Sequence, residues 1–194
     1  DLKVVGFSQQ IAQFKLEDNN LKLSLCDLSV EKVDEFITRM PDLELNQKVT
    51  DFLAEAKTQG ESYGGQVSVV VKQPPKGLGQ PVFHKFKADL AIAVMGIGAA
   101  TSFSFGDNEA ALNSCGTEFH SKADSSNYGG IRGGITTGED INFNVTFKPT
   151  SSIKDTAKKG RHDPCIVPRA VPVVEAMTWL VLADHILWSR LARL

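Results

Sequence analysis

The chain has 194 residues, which is long enough for one domain with a sizeable hydrophobic core. Its hydrophobic fraction of 42% and charged fraction of 23% are ordinary for a soluble globular protein. The formal net charge is −2, so no overall field favours nucleic acid or an anionic membrane, and any anion site must be built from local groups.

The first third of the chain predicts one strand and two helices. Residues 2–14 have apolar side chains in one phase, as in a strand. Ser29 is a suitable N-cap for a helix that Pro41 ends. A second helix is predicted over residues 45–59, with Gly60 as its C-cap.

The remainder alternates between strands and helices. Pro74 to Gly77 must form a turn, because a proline has no N–H to donate to a strand ladder. Strands are predicted where apolar and polar residues alternate. One helix is predicted from an alanine-rich run, and the other is a long helix at the end of the chain. The strands are residues 65–72, 101–105 and 141–147, and the helices are residues 86–95 and 171–194, the last with Pro172 near its first turn.

These elements predict an α+β fold in a single domain over residues 1–194. Alternating strands need a covering layer on one face, and the helices supply it, so we expect an antiparallel sheet with covering helices. Neither a regular βα alternation with G-x-G-x-x-G nor a P-loop is present. The C-terminal helix is interrupted by Glu175, Asp184 and His185, which argues against a membrane span.

Two loops carry residue types that suit an anionic ligand. Gly129 to Gly134 holds four glycines, which either form a bulged turn between strands or let backbone N–H groups approach a ligand; composition alone favours the turn. Lys148 to Ser152 directly follows a predicted strand and offers a lysine and three hydroxyls, as a phosphate requires. A solvated polar loop is the alternative for this second segment.

The run Gly160 to Cys165 adds a candidate proton-transfer group. Arg161 can bind phosphate with two hydrogen bonds, and Asp163 is held in extended backbone by the proline that follows it. His162 and Asp163 are adjacent and therefore do not form a dyad. The alternative is an arginine–aspartate pair that only fixes the loop. Cys165 has no evident base partner and is expected to be a packed thiol.

The other cysteines and the histidines predict little chemistry. Three cysteines form no C-x-x-C pair, which weakly favours a reducing compartment, and the four histidines have no metal-ligand spacing, so no metal site is proposed. His185 is expected to be a packed or interface residue. The chain begins at Asp1 without a signal peptide, and we interpret it as a fragment or a processed product.

Several motifs in order resemble the C-terminal half of chorismate synthase, most clearly over residues 60–187; residues 1–59 resemble it only loosely. The landmarks are Gly64-Gly65, the run from Gly77 to Phe83, Gly129 to Gly134, Gly138 to Ile141, Phe147 to Ser152, Gly160 to Cys165, Pro168 to Pro172 and Glu175-Ala176-Met177. The resemblance implies a β-α-β sandwich fold, here partial.

The resemblance also implies a reaction. Family members form chorismate and phosphate from 5-enolpyruvylshikimate 3-phosphate by a 1,4-elimination in the shikimate pathway, and they require reduced FMN without net redox change. They are usually homotetramers, so we expect this small-molecule substrate and a homo-oligomer, with no nucleic acid and no membrane. The expected location is the cytoplasm, or a plastid in a eukaryote.

By position, the resemblance assigns one catalytic residue and a set of flavin contacts. Asp163 matches the family's catalytic aspartate. The flavin contacts fall on Gly98, Ala99, Gly133, Lys148, Pro149, Thr150, Ser151, Ser152 and Arg161. The family's N-terminal histidines and arginines have no counterpart here, so we expect the chain alone to be inactive. The alternative is a non-catalytic module that binds an anion or flavin or serves assembly.

Overall fold

The computed structural model describes residues 1–17, 28–121, 125–154 and 162–191. In chain order, the strands are β1 (Lys3–Ile11), β2 (Phe14–Lys15), β3 (Gly65–Lys72), β4 (Ala100–Phe105), β5 (Ile131–Arg132), β6 (Ile135–Thr136) and β7 (Ile141–Phe147). The helices are α1 (Val30–Asp34), α2 (Leu43–Gln59), α3 (Phe86–Met95), α4 (Asn108–Asn113), α5 (Gly116–Ser121) and α6 (Val167–Leu191), with a 3₁₀ turn at Ser125–Tyr128.

Within the described residues, five strands form one sheet in the order β2-β1-β3-β7-β4, and every neighbouring pair is antiparallel. Val69 on β3 pairs with Gly6 on one side and with Phe143 on the other, which sets the register of the three central strands. The remaining strands, β5 and β6, form a separate hairpin. The predicted antiparallel sheet is therefore confirmed.

Helices α6 and α3 cover one face of this sheet. Helix α6 packs across β1 and β3, and α3 packs against α6 and β4. Gly6 lies directly beneath α6, because a Cβ there would come within 3.0 Å of the Glu175 side chain. Val69 and Phe143 on the same face are almost fully buried. Burying a side chain of this size stabilises the fold by about 1.5–3 kcal/mol.

Strand β7 shows the predicted alternation most clearly. Its apolar residues are buried and the residues between them are partly exposed. Asn144, on the polar side of β7, accepts a hydrogen bond from Ser68 of β3. The alternation therefore directs one face of the sheet toward α3 and α6 and leaves hydrogen-bonding groups on the other.

The helix predicted between Ser29 and Pro41 is shorter than expected. Ser29 caps it as predicted, but α1 ends at Asp34. The backbone N–H of Thr38 instead donates to Asn46 Oδ1 at 3.2 Å, and Arg39 adopts a φ of 53°. These contacts pull the chain out of helical geometry, and Ile37 is 76% exposed.

The predicted start of the last helix was also wrong. Helix α6 begins at Val167, four residues earlier than expected, so Pro172 lies inside it. A proline there has no N–H for the carbonyl of Pro168, four residues before it. Arg39 fills that role, because its Nη1 donates to Pro168 O at 2.6 Å. The missing intrahelical bond is thus replaced by one from a distant loop.

Helix α6 is also long and apolar enough, by length and composition alone, to cross a membrane. The charged residues of α6 alone therefore do not exclude a span by this helix. Its packing against β1, β3 and α3 accounts for the buried side of the helix, and core helices of soluble proteins pass the same test. The short elements α4, α5, β5 and β6 were not predicted, since they span too few residues to show a period.

Candidate functional site

Lys148 to Ser152 meets the described part of the run Gly160 to Cys165, residues 162–165, at the end of the central strands. Thr150 Oγ1 donates to the backbone carbonyl of Asp163 at 3.0 Å. The segment between α2 and β3 holds both loops, since Ser62 Oγ donates to Thr150 O at 2.7 Å and Tyr63 N–H donates to Pro164 O at 2.8 Å. The structure therefore joins two motifs that the sequence could only place side by side.

Gly64 permits this approach. A Cβ built on Gly64 would lie 2.4 Å from the carbonyl oxygen of Phe147, the last residue of β7. Because that neighbour is backbone, no side-chain rotation could relieve the clash. A glycine here lets the exit of β7, and with it Lys148, lie against the segment that holds Asp163.

Asp163 is ion-paired with Arg169 in the first turn of α6. Arg169 Nη1 lies 2.5 Å from Asp163 Oδ2, and the carboxylate is 22% exposed. Arg161, the partner considered from the sequence, lies outside the described residues, so its pairing and its flavin contact stay predictions. Arg169 orients the carboxylate through one oxygen and leaves part of it accessible to a ligand.

His162 turns away from its neighbour Asp163. Its Nε2 is 2.9 Å from the carbonyl of Glu61, and a carbonyl only accepts, so Nε2 carries the hydrogen. Its Nδ1 is therefore an acceptor, and it is buried without a hydrogen-bond partner among the described residues. Leaving such a group unpaired costs about 1–3 kcal/mol.

The Lys148 loop also contacts two further predicted residues. The N–H of Lys148 donates to Ala99 O at 3.0 Å, which brings Gly98 and Ala99 to the edge of this loop. Ala99 has a φ of 69°, a left-handed conformation that is strained for a residue with a Cβ. Gly98 is exposed, and a Cβ there would meet nothing within 4 Å.

The side chains of Lys148 to Ser152 differ in what they offer a ligand. The side chains of Lys148, Pro149 and Ser151 are exposed, and Ser152 is partly buried. Thr150 uses its only O–H on Asp163, so in this arrangement it organises the loop. The ammonium of Lys148 and the hydroxyl of Ser151 are the groups best placed to meet an anion.

Gly133 lies in the loop of the β5–β6 hairpin, away from these contacts. It is exposed with a φ of 62°, and a Cβ there would meet nothing within 4 Å. Its neighbour Gly134 is different, because a Cβ would come within 2.6 Å of the Lys85 side chain. The interpretation of this glycine run as a turn is therefore confirmed. Of its four glycines, Gly133 is the one where a Cβ would point into open space. No described contact joins it to Lys148.

Cys165 lies under the site as an inert thiol. It is 4% exposed. Burial raises the pKa of the Cys165 thiol to about 11, the N–H of Val167 opposes that shift, and the charge of Asp163 adds to it. The prediction of a packed thiol is confirmed, since almost no thiolate forms at neutral pH.

Comparison with known proteins supplies the family. The family model of chorismate synthase matches residues 1–187. The chain belongs to the chorismate synthase family. It is 50% identical over 192 residues to a chorismate synthase of Bdellovibrio bacteriovorus, covering 99% of this chain and 54% of that protein. With a chorismate synthase of Synechococcus sp. strain WH7803 the identity is 40%, over 89% of this chain and 54% of the other.

A solved crystal structure of a chorismate synthase has the same fold. The TM-score is 0.80 at 28% sequence identity, over 97% of this chain and 57% of that one. The chain therefore spans about half the length of the chorismate synthases that it matches. The resemblance and the fold are confirmed, and the match includes residues 1–59, where the motifs gave only a loose resemblance.

Sequence reasoning missed two residues that organise the site. Ser62 gave no signal, because a lone serine after a helix C-cap is common. Arg169 stood in a recognised motif without a role, and its position six residues after Asp163, at the start of a helix, was the available clue.

Proposed function

We propose that this chain carries part of the flavin site of a chorismate synthase, an enzyme that converts 5-enolpyruvylshikimate 3-phosphate to chorismate and phosphate by 1,4-elimination. The observation that carries the proposal is the hydrogen bond from Thr150 to the carbonyl of Asp163. This bond places the loop that carries Lys148 beside Asp163. One site therefore holds a cation that can bind an anion and a carboxylate that can transfer a proton.

The residues present fit reduced FMN by their chemistry. Lys148 and Ser151 offer a cation and a hydroxyl for a phosphate, and Ser152 with Arg161 extends that set. Gly98 and Gly133 leave room that side chains would fill. Reduced FMN would supply the electron density that eases loss of the substrate's phosphate.

Asp163 is proposed to handle the proton. Its carboxylate is fixed by Arg169 and its carbonyl by Thr150, so both ends of the residue are positioned. In a full-length protein, Asp163→Asn should keep flavin affinity and lower turnover at saturating flavin by about 10²–10⁴-fold. Titrating flavin and measuring saturated turnover on the same variant tests this, with the exposed Asp184→Asn as control. A normal saturated rate would rule out the proton role.

The flavin site is tested separately by binding. Lys148→Ala and Arg161→Ala should each weaken reduced FMN binding by about 1.5–3 kcal/mol, the scale of a charge-assisted hydrogen bond. Calorimetry measures this, with the exposed Lys57→Ala on α2 as the control. Unchanged affinity in both variants would show that the flavin phosphate lies elsewhere.

A non-catalytic module that binds flavin or an anion is the second candidate, because the chain covers only 54% of the relatives' length. We expect little or no turnover from the 194-residue chain supplied with substrate and reduced FMN. Turnover near that of a full-length relative would contradict this expectation.

We also propose a homotetramer in the cytoplasm for the full-length protein. Light scattering of that protein tests the assembly. Bacterial and cyanobacterial relatives support the location. Nothing supports the plastid alternative.

A further inference from the structure

The run from Gly77 to Phe83 has no role in the site described above, although it was among the landmarks of the sequence. Its first residues face the C-terminal half of α6 across a cavity of about 250 Å³. The lining residues are Lys76, Gly77, Gly79, Gln80, His185, Trp188 and Ser189.

The loop side of the cavity is held in place by Thr136 of β6. Its Oγ1 donates to Pro75 O at 2.7 Å and accepts from the N–H of Leu78 at 2.8 Å. Its carbonyl accepts from the N–H of Gly77 at 2.9 Å. The N–H of Thr136 also donates to Leu78 O at 3.0 Å. Four hydrogen bonds to one residue therefore fix residues 75–78, so this wall is formed before any ligand arrives.

The helix side is built around a histidine that was expected only to be packed. His185 is 2% exposed, and its Nε2 lies 3.0 Å from Asp89 Oδ2 on α3. The same carboxylate oxygen is 3.3 Å from Nδ1 of His84. The ring of Trp188 lies 4.8 Å from that of His84 and 5.9 Å from that of His185. The carboxylate of Asp89 therefore holds both histidines, and their rings in turn orient Trp188 on this side of the cavity.

The charge on the lining favours an anion. Lys76 is exposed and has no ion-pair partner among the residues that the structure describes. No carboxylate is among the lining residues in the described part of the chain, and Asp89 is engaged by His185 and His84. Gln80 adds an amide that donates and accepts. A cation, an amide and an indole face recognise a small molecule that carries an oxyanion.

We propose that this cavity binds a small molecule through a carboxylate or phosphate group, with Lys76 as the countercharge, Gln80 as a hydrogen-bond donor and Trp188 as the flat wall. The site is distinct from the Lys148 loop, and it does not depend on the proposed reaction.

Trp188 allows a direct test on the 194-residue chain. The chain has two tryptophans, so Trp179→Phe leaves Trp188 as the only reporter. Inorganic phosphate in one series and succinate in another are titrated without flavin, at constant pH and ionic strength. We expect a saturable change in Trp188 emission with a dissociation constant in the millimolar range or below.

Variants made in the Trp179→Phe background assign the response. Lys76→Ala should weaken binding by about tenfold or more, the equivalent of one charge-assisted hydrogen bond. Lys57→Ala, on α2, and Lys148→Ala, in the flavin loop, should leave it unchanged. Circular dichroism checks that Lys76→Ala is folded, as expected for an exposed side chain.

Saturation by phosphate alone, by succinate alone or by both supports the site and identifies its oxyanion. A response that does not saturate overturns the proposal, and so does equal binding by the Lys76→Ala variant. Loss of the response in Lys148→Ala would also overturn it, because the anion would then occupy the flavin loop. None of these results depends on whether the chain takes part in chorismate synthesis.

Discussion

The first three turns of helix α6 and the turns that follow are held in different ways. In the first turns, polar groups from distant segments bind the helix: Arg169 pairs with Asp163, Pro168 O accepts from Arg39, and Glu175 accepts from the N–H of Gly6 at 2.7 Å. The first of these contacts positions the loop that carries Asp163. They depend on individual hydrogen bonds, each worth about 0.5–3 kcal/mol.

The later turns are held mainly by apolar packing. Val181 and Leu182 are buried against the fold, while Leu180 and Leu187 on the opposite side are 65% and 57% exposed. Within the described residues, the hydrogen bond between His185 and Asp89 is the one polar contact between side chains of α6 and α3. Buried apolar side chains run along the whole helix, since Val167, Val171 and Val174 in the first turns are in the core as well. The first turns, called the polar half here, add hydrogen bonds from other segments, whereas the later turns, the apolar half, rely mainly on packing.

Leu182→Ala should have the largest effect, because it tests the apolar half. Leu182 is 0% exposed, and truncating a buried leucine costs about 2–5 kcal/mol in the free energy of unfolding. Leu180→Ala, two residues earlier, should change it by less than about 0.5 kcal/mol. Urea denaturation of the 194-residue chain measures both. Similar losses in the two variants would mean that the exposed side of α6 is also packed in solution.

A double-mutant cycle tests the polar half. Arg39→Ala should cost about 1.5–3 kcal/mol, because Pro168 O loses the hydrogen bond from the guanidinium. In a Pro172→Ala background the same change should cost less, since an alanine at that position supplies the N–H that the helix lacks. Urea unfolding of the parent, the two single variants and the double variant should give a coupling energy of about 0.5–2 kcal/mol.

Asp34→Ala is the control for that cycle. It removes the exposed ion pair that Arg39 makes with Asp34 at 2.8 Å and keeps the bond to Pro168. A pair of this kind is worth about 0–1 kcal/mol, and its loss should be independent of Pro172. Additive costs for Arg39→Ala and Pro172→Ala would show that Arg39 does not substitute for the missing helical bond.

The same division explains what could be predicted from the sequence. The bounds of α3 and β7 were predicted to the residue, because an alanine-rich run and a strict alternation of apolar and polar residues are both local signals. The start of α6 was not, since it depends on Arg39, which lies 129 residues away from Pro168. At the site, the residue types in each loop predicted an anionic ligand and a proton-transfer group. The bond between Thr150 and Asp163 and the role of Ser62 required the fold.

The smallest effect is expected at Glu175, where the polar half of α6 meets the sheet. Burial raises the pKa of its carboxyl above 4.5; the N–H of Gly6 and the charge of Arg39 oppose the shift, and Asp34 adds to it. A group with a raised pKa in the folded state binds its proton more tightly there than in the unfolded chain. Its contribution to stability is therefore complete below pH 4.5 and is lost as the pH rises through the folded-state value.

Glu175→Gln removes this titration and keeps an oxygen for the N–H of Gly6. The stability of the variant relative to the parent should therefore rise as the pH increases from about 4 toward 7. Urea denaturation across that range measures the difference. Glu35→Gln, at an exposed position, corrects for replacing a carboxylate by an amide. A difference that does not change with pH would show that burial does not control this carboxyl, and that the polar half of α6 is held by the Gly6 hydrogen bond whatever the charge of Glu175.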